Sequence, residues 1–287
     1  MNQRSCRLPG HRLKAVPEGS KVRYERRRAA AVLTIDRPER RNAVDDETAG
    51  LLLERFREFE ADDSARVLVL TGQGPEAFCA GADLKAVAER GAELGSMEDP
   101  EQAVRDWLDE RPDGPLGFTR LEASKPTIAA ISGWCLAGGL ELALWCDLRV
   151  ATDDAQLGFT ERRFGVPLID GGTQRLPRLV GQGRALEMIL TGRVVDADEA
   201  LRWGLVNEVV APGAHLERAL AIADGIAAFP QPTMLSDRRA ALEGSGLPLA
   251  DGLALEARLG AASVITGVRG AARFAAGEGR GAEGAGV

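Results

Sequence analysis

The sequence predicts an α/β fold, in which short buried strands alternate with helices. Two observations carry this prediction. Short apolar runs with the length of buried strands alternate with longer segments in which apolar residues recur at helical spacing. Glycine-containing turns separate several of these strand and helix pairs. With 287 residues, the chain is long enough to form one large core with an appendage.

The individual elements follow from this alternation. Buried strands are expected at residues 31–35, 67–70, 127–131, 148–151 and 205–209. Helices are expected at residues 46–60, after Gly138-Gly139, at 182–190 and 196–203, and over most of the chain after 216. Residues 91–115 are rich in glycine and proline and therefore look like an excursion from the core that contributes pocket walls.

The two ends of the chain differ from its middle. We expect a disordered basic leader at residues 1–20, a core at 21–210, a helical region at 211–275 and a flexible glycine-rich tail at 276–287. The apolar stretch 126–146 has the length of a membrane span, but it is interrupted at Ser132-Gly133 and again at Gly138-Gly139. A strand, a glycine turn and a helix explain this stretch better than a membrane span.

Composition excludes several classes of function. The formal net charge of −7 provides no positive field for a nucleic acid backbone. The chain has two histidines, His11 and His215, and four cysteines without the spacing of a zinc or iron–sulfur site, so no metal is expected. With so few histidines, we expect carboxylates to move the protons if the chain is an enzyme. Because the cysteines lie mostly in apolar stretches, we expect a reducing, cytoplasmic setting.

Three glycine-containing loops follow predicted strands and precede helix-like segments. They lie at residues 78–84, 136–141 and 170–176. Free N–H groups at such turns bind anions, and two of them from separate loops would form an oxyanion hole for a thioester carbonyl. The alternative is that each loop is only a strand-to-helix turn. The third glycine of a dinucleotide-binding motif is absent after Gly72 and Gly74, and the chain has no phosphate-binding P-loop motif.

Two glutamates stand out near these loops. Glu141 lies three residues after Gly138 in an otherwise apolar segment, and Glu161 follows Leu157-Gly158-Phe159-Thr160. Each has an ordinary structural alternative. Acidic residues are common in the first turn of a helix, and Glu161 precedes Arg162-Arg163, which favours a surface ion pair.

The combination of motifs resembles the enoyl-CoA hydratase/isomerase (crotonase) family over about residues 22–275. The matching motifs occur in the family's order: Thr34-Ile35-Asp36-Arg37-Pro38-Glu39, Arg41-Asn42-Ala43, Phe78-Cys79-Ala80-Gly81-Ala82-Asp83-Leu84, Ala137-Gly138-Gly139-Leu140-Glu141-Leu142-Ala143 with Cys146-Asp147, Gly171-Gly172-Thr173-Gln174-Arg175-Leu176, Leu190-Thr191-Gly192, and Ala200 with Gly204-Leu205-Val206. The resemblance implies a right-handed spiral of ββα units, followed by C-terminal helices that mediate trimers, often paired into hexamers. It also implies an acyl-CoA ligand and no separate cofactor, because coenzyme A is part of the substrate.

The resemblance also assigns roles to individual residues. The oxyanion N–H groups map to Ala82 and Gly138. The coenzyme A site is implied at the residues of the first loop, with Lys85 facing a phosphate and the backbone near Ala80 lining the adenine pocket: Ala80, Gly81, Asp83, Leu84 and Lys85. The two catalytic glutamates of hydratases map to Glu141, which would orient and activate water, and to Glu161, which would exchange the proton at C2.

The chain departs from the usual hydratase pattern at several positions. Pro167-Leu168-Ile169-Asp170-Gly171-Gly172 replaces a Pro-Gly-x-Gly-Gly turn, so Asp170 is a possible third acid in the pocket. Dienoyl-CoA isomerases of the family place an aspartate at the same distance from the following threonine. Arg162 and Arg163 replace commoner apolar residues, and the usual Lys-Arg-x-Pro-x-Phe-like ending is missing after Phe274. Three hypotheses therefore remain: an enoyl-CoA hydratase, an enoyl- or dienoyl-CoA isomerase, and a non-catalytic acyl-CoA-binding protein.

Overall fold

A computed structural model of the chain describes residues 19–277, apart from the side chains of residues 93 and 94. The predicted leader up to residue 18 and the predicted tail from residue 278 lie outside the described residues. The strands are β1 (Val22–Arg27), β2 (Ala30–Ile35), β3 (Val67–Gly72), β4 (Ala77–Cys79), β5 (Thr127–Ile131), β6 (Trp134–Leu136), β7 (Leu148–Thr152), β8 (Gln156–Gly158), β9 (Val194–Asp196) and β10 (Glu208–Val210).

Helices occupy most of the remaining chain. They are α1 (Asp46–Ala61), α2 (Leu84–Leu94), α3 (Pro100–Asp109), α4 (Gly138–Trp145), α5 (Gly172–Val180), α6 (Gln182–Thr191), α7 (Ala197–Trp203), α8 (His215–Ala228), α9 (Gln231–Glu243), α10 (Leu249–Ala261) and α11 (Val264–Ala275). Two short 3-10 helices span Pro38–Arg40 and Thr160–Phe164.

The strands form two sheets, and from β3 to β8 successive strands alternate between the larger and the smaller sheet. The larger sheet has the order β1-β2-β3-β5-β7-β10 and is parallel except for the β1–β2 pair. The smaller sheet has the order β4-β6-β8-β9, and only β9 runs antiparallel to its neighbour. The units β3-β4-α2, β5-β6-α4 and β7-β8-α5 therefore repeat one arrangement, a strand in each sheet followed by a helix. The predicted α/β class is confirmed.

The central strands of the larger sheet are buried on both faces. In β3, Val67 and Val69 pack with Ala219 and Ala223 of α8. Leu68 and Leu70 belong to the main core on the other face of the sheet. All six residues of β3 are buried. This double burial explains why the central strands are continuous apolar runs rather than alternating patterns.

The C-terminal helices are only partly covered. Arg238 in α9 holds Asp147 with two contacts, Nε to Oδ2 at 2.9 Å and Nη2 to Oδ1 at 3.0 Å, and thereby joins α9 to the core. In α10 only Leu255 is buried, and no residue of α11 is buried. Within residues 19–277, none of the helices combines the length and apolar character that crossing a bilayer requires.

Two sequence-based predictions of local structure were correct only in part. Residues 205–209 were expected to form a strand, but only Glu208–Val210 pairs with β7, because the N–H groups of Leu205 and Val206 both donate to the Ala200 carbonyl at the end of α7. The segment 91–115 contains the last four residues of α2 and all of α3, so it is more helical than its glycine and proline content suggested. The side chain of Asp99 caps α3 through the Gln102 N–H, and Pro100 begins the helix.

Candidate active site

The loop after β4 presents one free backbone N–H. Ala82 forms a parallel bridge with Val44, in which the Val44 N–H donates to the Gly81 carbonyl at 2.8 Å and the Asp83 N–H donates to the Val44 carbonyl at 2.9 Å. Successive backbone groups in an extended chain point to opposite sides, so the N–H of Ala82 points away from Val44. Gly81 has a φ of 91°, a value that favours glycine.

The loop after β6 presents the second N–H. Gly138 is the first residue of α4, so its N–H has no acceptor within the helix. The preceding Ala137 has a φ of 53° and a ψ of −127°, which an L-residue rarely adopts, and its N–H is held by the Gly158 carbonyl at 2.8 Å. A Cβ built on Gly138 would lie 3.7 Å from the nitrogen of Ala82, so the two donors lie side by side.

Glu141 lies one turn into α4 and is buried. Its Oε1 accepts hydrogen bonds from the Gly172 N–H at 2.7 Å and from the Asp170 N–H at 3.0 Å. Burial raises the pKa of the Glu141 carboxyl to about 7, and the nearby Asp170 and Glu161 carboxylates add to the rise. The two N–H donors oppose this rise in pKa, because they stabilise the ionised form. Glu141 is therefore poised to gain or lose a proton near neutral pH.

Glu161 has a different environment. It lies in the 3-10 helix Thr160–Phe164 and is buried, yet neither carboxylate oxygen has a hydrogen-bond partner among the described residues. The surface ion pair suggested by Arg162-Arg163 does not form, since these guanidinium groups donate to the carbonyls of Ile189 and Gly192. Burial raises the pKa of the Glu161 carboxyl.

Asp170 is the third buried acid. Its Oδ1 accepts a hydrogen bond from the Leu116 N–H at 3.0 Å and another from the Thr119 hydroxyl. Burial raises the pKa of the Asp170 carboxyl, and these two hydrogen bonds oppose the rise. Arg175 donates to the Asp170 carbonyl at 2.8 Å and to the Thr119 carbonyl at 2.6 Å.

One cavity of about 580 Å³ joins these groups. Five of the residues singled out from the sequence for the chemistry line it: Ala82, Gly138, Glu141, Glu161 and Asp170. This volume is in the range of small-molecule sites. Residues 19–277 contain no group of three or more histidine, cysteine, aspartate or glutamate side chains placed to hold a metal ion.

The residues expected to contact coenzyme A fall into two groups. Ala80, Asp83 and Leu84 line the cavity, whereas Gly81 and Lys85 do not. The Asp83 carboxylate is engaged in the fold, because Oδ2 pairs with Arg37 at 3.0 Å and Oδ1 accepts the Lys85 N–H at 3.1 Å. Lys85 is exposed in the first turn of α2.

The cavity also includes residues that the sequence did not single out for a role. Arg41 and Arg90 add positive charge to its lining, and Trp107 and Leu116 add apolar surface. Arg41 belongs to a motif that carried the resemblance and has a φ of 51°. Arg90 lies over the Trp107 ring, 4.6 Å from its centroid. No local pattern marks Leu116, because its place in the site comes from contacts distant in sequence.

Comparison with known proteins identifies the family of this chain. Residues 25–262 match the family model of enoyl-CoA hydratase/isomerase. This chain belongs to the enoyl-CoA hydratase/isomerase family. An (E)-benzylidenesuccinyl-CoA hydratase of Thauera aromatica is 38% identical over 223 residues, which cover 78% of this chain and 82% of the relative. A crotonyl-CoA hydratase of Syntrophomonas wolfei is 37% identical over 237 residues, or 81% of this chain and 85% of the relative.

Solved structures of family members have the same fold. An enoyl-CoA hydratase from Mycobacterium marinum superimposes with a TM-score of 0.77 at 34% identity, covering 89% of this chain and 95% of that chain. An enoyl-CoA hydratase from Bacillus anthracis gives a TM-score of 0.76 at 33% identity, covering 85% and 91%. The predicted spiral of ββα units with C-terminal helices, the fold of this family, is therefore confirmed.

Proposed function

We propose that this protein is an enoyl-CoA hydratase that adds water syn across the 2,3 double bond of a trans-2-enoyl-CoA to give a 3-hydroxyacyl-CoA. The observation that carries the proposal is the meeting of two buried glutamates and two free backbone N–H groups in one cavity. Relatives named as hydratases of two very different acyl groups support hydration as the shared chemistry. Their names do not agree on one acyl chain.

In the proposed reaction, the thioester oxygen lies between the N–H groups of Ala82 and Gly138. A 2-enoyl thioester is electrophilic at C3, and attack by water there moves electron density through C2 onto this oxygen. Two fixed donors stabilise the developing enolate more than the neutral carbonyl, so they lower the barrier to addition. They need no rearrangement at the moment of reaction, because the fold already fixes both loops.

The two glutamates divide the proton transfers. Glu141, whose Oε1 is held by the N–H groups of Asp170 and Gly172, orients the water with its other oxygen and accepts a proton as the C3–O bond forms. Glu161 delivers a proton to C2 as the enolate collapses. The Glu161 carboxyl has no partner of its own among the described residues, so it is free to face the substrate. Because both acids face one cavity, they share their protons as a coupled pair.

The proposal extends to the setting of the reaction. Hydration of an enoyl thioester requires no resident cofactor, since coenzyme A arrives with the substrate. Lys85, which is exposed next to the lining residue Leu84, is a candidate contact for a coenzyme A phosphate. A cytoplasmic role in fatty acid β-oxidation fits this chemistry and the three buried free thiols Cys79, Cys135 and Cys146. A homotrimer or hexamer fits the uncovered apolar residues of α10 and α11.

The test is an assay of the purified protein with short, medium and long trans-2-enoyl-CoA substrates. Hydration removes the conjugated thioester absorbance and adds one water to the mass of the product. We expect the Glu141→Gln and Glu161→Gln variants each to lose about 10²–10⁴-fold in turnover while still binding a saturated acyl-CoA. Normal turnover in both variants would disprove the mechanism.

Two other outcomes of this assay would favour the alternative functions. The presence of Asp170 in the cavity favours isomerisation of a dienoyl-CoA as the second candidate, since a third acid would allow a proton to move along the diene. A shift of absorbance without a change in mass would indicate that reaction. Tight binding of acyl-CoA without any turnover would indicate a non-catalytic binding protein.

A further inference from the structure

Asp170 connects its own loop before α5 to two other parts of the site, the segment 116–119 and Glu141. Its side chain reaches the segment before β5, where Oδ1 accepts hydrogen bonds from the Leu116 N–H and the Thr119 hydroxyl. Its backbone N–H donates to Oε1 of Glu141 at 3.0 Å. Arg175 spans the carbonyls of Asp170 and Thr119 and so joins the same two segments from outside the cavity. The buried acid is thus bonded to one wall of the cavity and to a proposed catalytic glutamate.

The wall that Asp170 holds lies against the oxyanion hole. Leu116 is buried, lines the cavity, and packs so closely on α4 that a Cβ built on Gly138 would lie 2.5 Å from its Cδ1. A shift of the segment 116–119 would therefore change the space beside the Gly138 N–H. Small displacements of this kind lower turnover without removing any reacting group.

The charge of Asp170 also acts on Glu141. The charged groups that face Glu141 are Asp170 before α5, Glu161 in the 3-10 helix and Arg175 in α5. Asp170 and Glu161 raise the pKa of Glu141, whereas Glu141 and Asp170 stabilise the charge of Arg175. Replacing the Asp170 carboxylate by an amide would keep an acceptor for Leu116 and Thr119 and remove the negative charge.

We propose that Asp170 is a positioning residue of the site: its carboxylate fixes the wall at 116–119 against Gly138, and its backbone holds Glu141 in place. This inference rests on the proposed hydration. Asp170 is assigned no proton transfer in the hydration, because Glu141 and Glu161 already supply the base and the acid that the addition of water needs. This positioning role, carried by the hydrogen bonds of Oδ1 to the segment 116–119, differs from the proton shuttle of a dienoyl-CoA isomerase.

The experiment compares Asp170→Asn, Asp170→Ala and Thr119→Val with the wild-type enzyme. Asp63→Asn is the matched control, because Asp63 is an exposed acid away from the cavity. Steady-state hydration of one enoyl-CoA gives kcat and KM across the pH range. In parallel, ¹³C NMR of protein labelled at glutamate carboxyl carbons follows the titration of Glu141, whose signal is identified by its loss in Glu141→Gln.

We expect Asp170→Asn to keep KM within about twofold and to shift the acid limb of kcat/KM to lower pH. The Glu141 carbon should titrate at lower pH in the same variant. Asp170→Ala should lose roughly 10–100-fold in kcat/KM, because the wall is released, and Thr119→Val should fall between wild type and Asp170→Ala. Asp63→Asn should match wild type in every measurement.

Two results would overturn the inference. One is an unchanged pH profile and NMR titration in Asp170→Asn together with unchanged kinetics in Asp170→Ala. The other is a loss in Asp170→Asn as complete as that in Glu141→Gln, which would make Asp170 a proton-transfer group. If Asp170→Ala does not fold, the measurements on Asp170→Asn and Thr119→Val still test the positioning role of Asp170. Absence of hydration in the wild-type enzyme would reject the proposed function instead, and the NMR titration would still test the link to Glu141.

Discussion

Glu141 and Glu161 are both buried carboxyls, but they are held differently. Two backbone N–H groups bind one oxygen of Glu141, which fixes the side chain and partly stabilises its ionised form. Glu161 has no such donor among residues 19–277. A fixed acid that ionises near neutral pH suits the activation of water, and an unbonded buried acid suits delivery of a proton.

The pH dependence of hydration follows from the pKa of Glu141. This carboxyl must be ionised to accept a proton from water, and its pKa is raised to about 7. We therefore expect kcat/KM to fall as the pH drops through this value, with a slope of one proton. Initial rates between about pH 5 and pH 8 measure this limb. A profile that stays flat down to pH 5 would contradict the role of Glu141 as the base.

The contribution of Glu141 to stability should change with pH in the opposite direction to its contribution to activity. The pKa of Glu141 is raised from 4.5 to about 7 on folding, so its neutral form favours the folded state, and this contribution is lost as the pH rises through about 7. We expect Glu141→Gln to raise the free energy of unfolding by on the order of 2 kcal/mol at pH 8. The gain should be severalfold smaller at pH 5, because it grows between the ordinary pKa of 4.5 and the folded-state pKa of about 7. Urea unfolding at both pH values measures it, and an equal gain at both would contradict the assignment.

At the scale of elements, prediction from sequence succeeded where a strand is both long and buried. The strand at residues 127–131 was predicted with the bounds that β5 has, because all five of its residues are apolar or β-branched and buried on both faces. The strands β4, β6, β8 and β9 were missed, since each has three residues and is too short to show a period. They are held by pairing with each other rather than by local preference.

The site could be predicted only in part, for a related reason. The glycine loops and the two glutamates are visible as local motifs, and the structure brings them to one cavity. The contact of Asp170 with Thr119 joins residues that are 51 positions apart. Such a contact depends on how two loops meet in the fold, so no local pattern predicts it. For the same reason Glu161 looked like half of a surface ion pair.

The packing of α4 on β4 depends on Gly139. A Cβ at this position would lie 2.0 Å from the carbonyl oxygen of Cys79, which is backbone and cannot move aside. We expect Gly139→Ala to lower the free energy of unfolding by about 1–3 kcal/mol or more. Gly225→Ala is the control, because Gly225 lies in α8 with nothing within 4 Å of a built Cβ, and it should stabilise the chain by up to about 1 kcal/mol. Equal melting temperatures in the two variants would contradict this packing.

At the scale of the whole molecule, many large apolar side chains of the C-terminal helices remain exposed. Leu249 is 79% exposed and Ile265 is 64% exposed, and Leu253, Val264 and Val268 are exposed with them. The core does not need these side chains, since the central strands of the larger sheet are covered on both faces. The exposed apolar surface is therefore not a gap in the core, and it supports the proposed assembly of several copies of the chain.

A charge introduced there should separate the proposed oligomer. We expect light scattering to give three or six times the mass of one chain for the wild-type protein, and Leu253→Glu with Ile265→Glu to give the mass of one chain. Leu190→Glu is the control, because Leu190 is 71% exposed but lies in α6, outside the C-terminal helices. A wild-type mass equal to one chain would reject the proposed assembly without affecting the chemistry of the cavity.

The most direct test of the central proposal is hydration in water enriched with heavy oxygen. The purified protein is incubated with a trans-2-enoyl-CoA, and the product is examined by mass spectrometry, with Glu141→Gln and Glu161→Gln run alongside. We expect the wild-type product to carry one heavy oxygen at C3, and the two variants to form little of it. A thioester recovered without added oxygen, whether unchanged or isomerised, would contradict the assignment of these two glutamates to the addition of water.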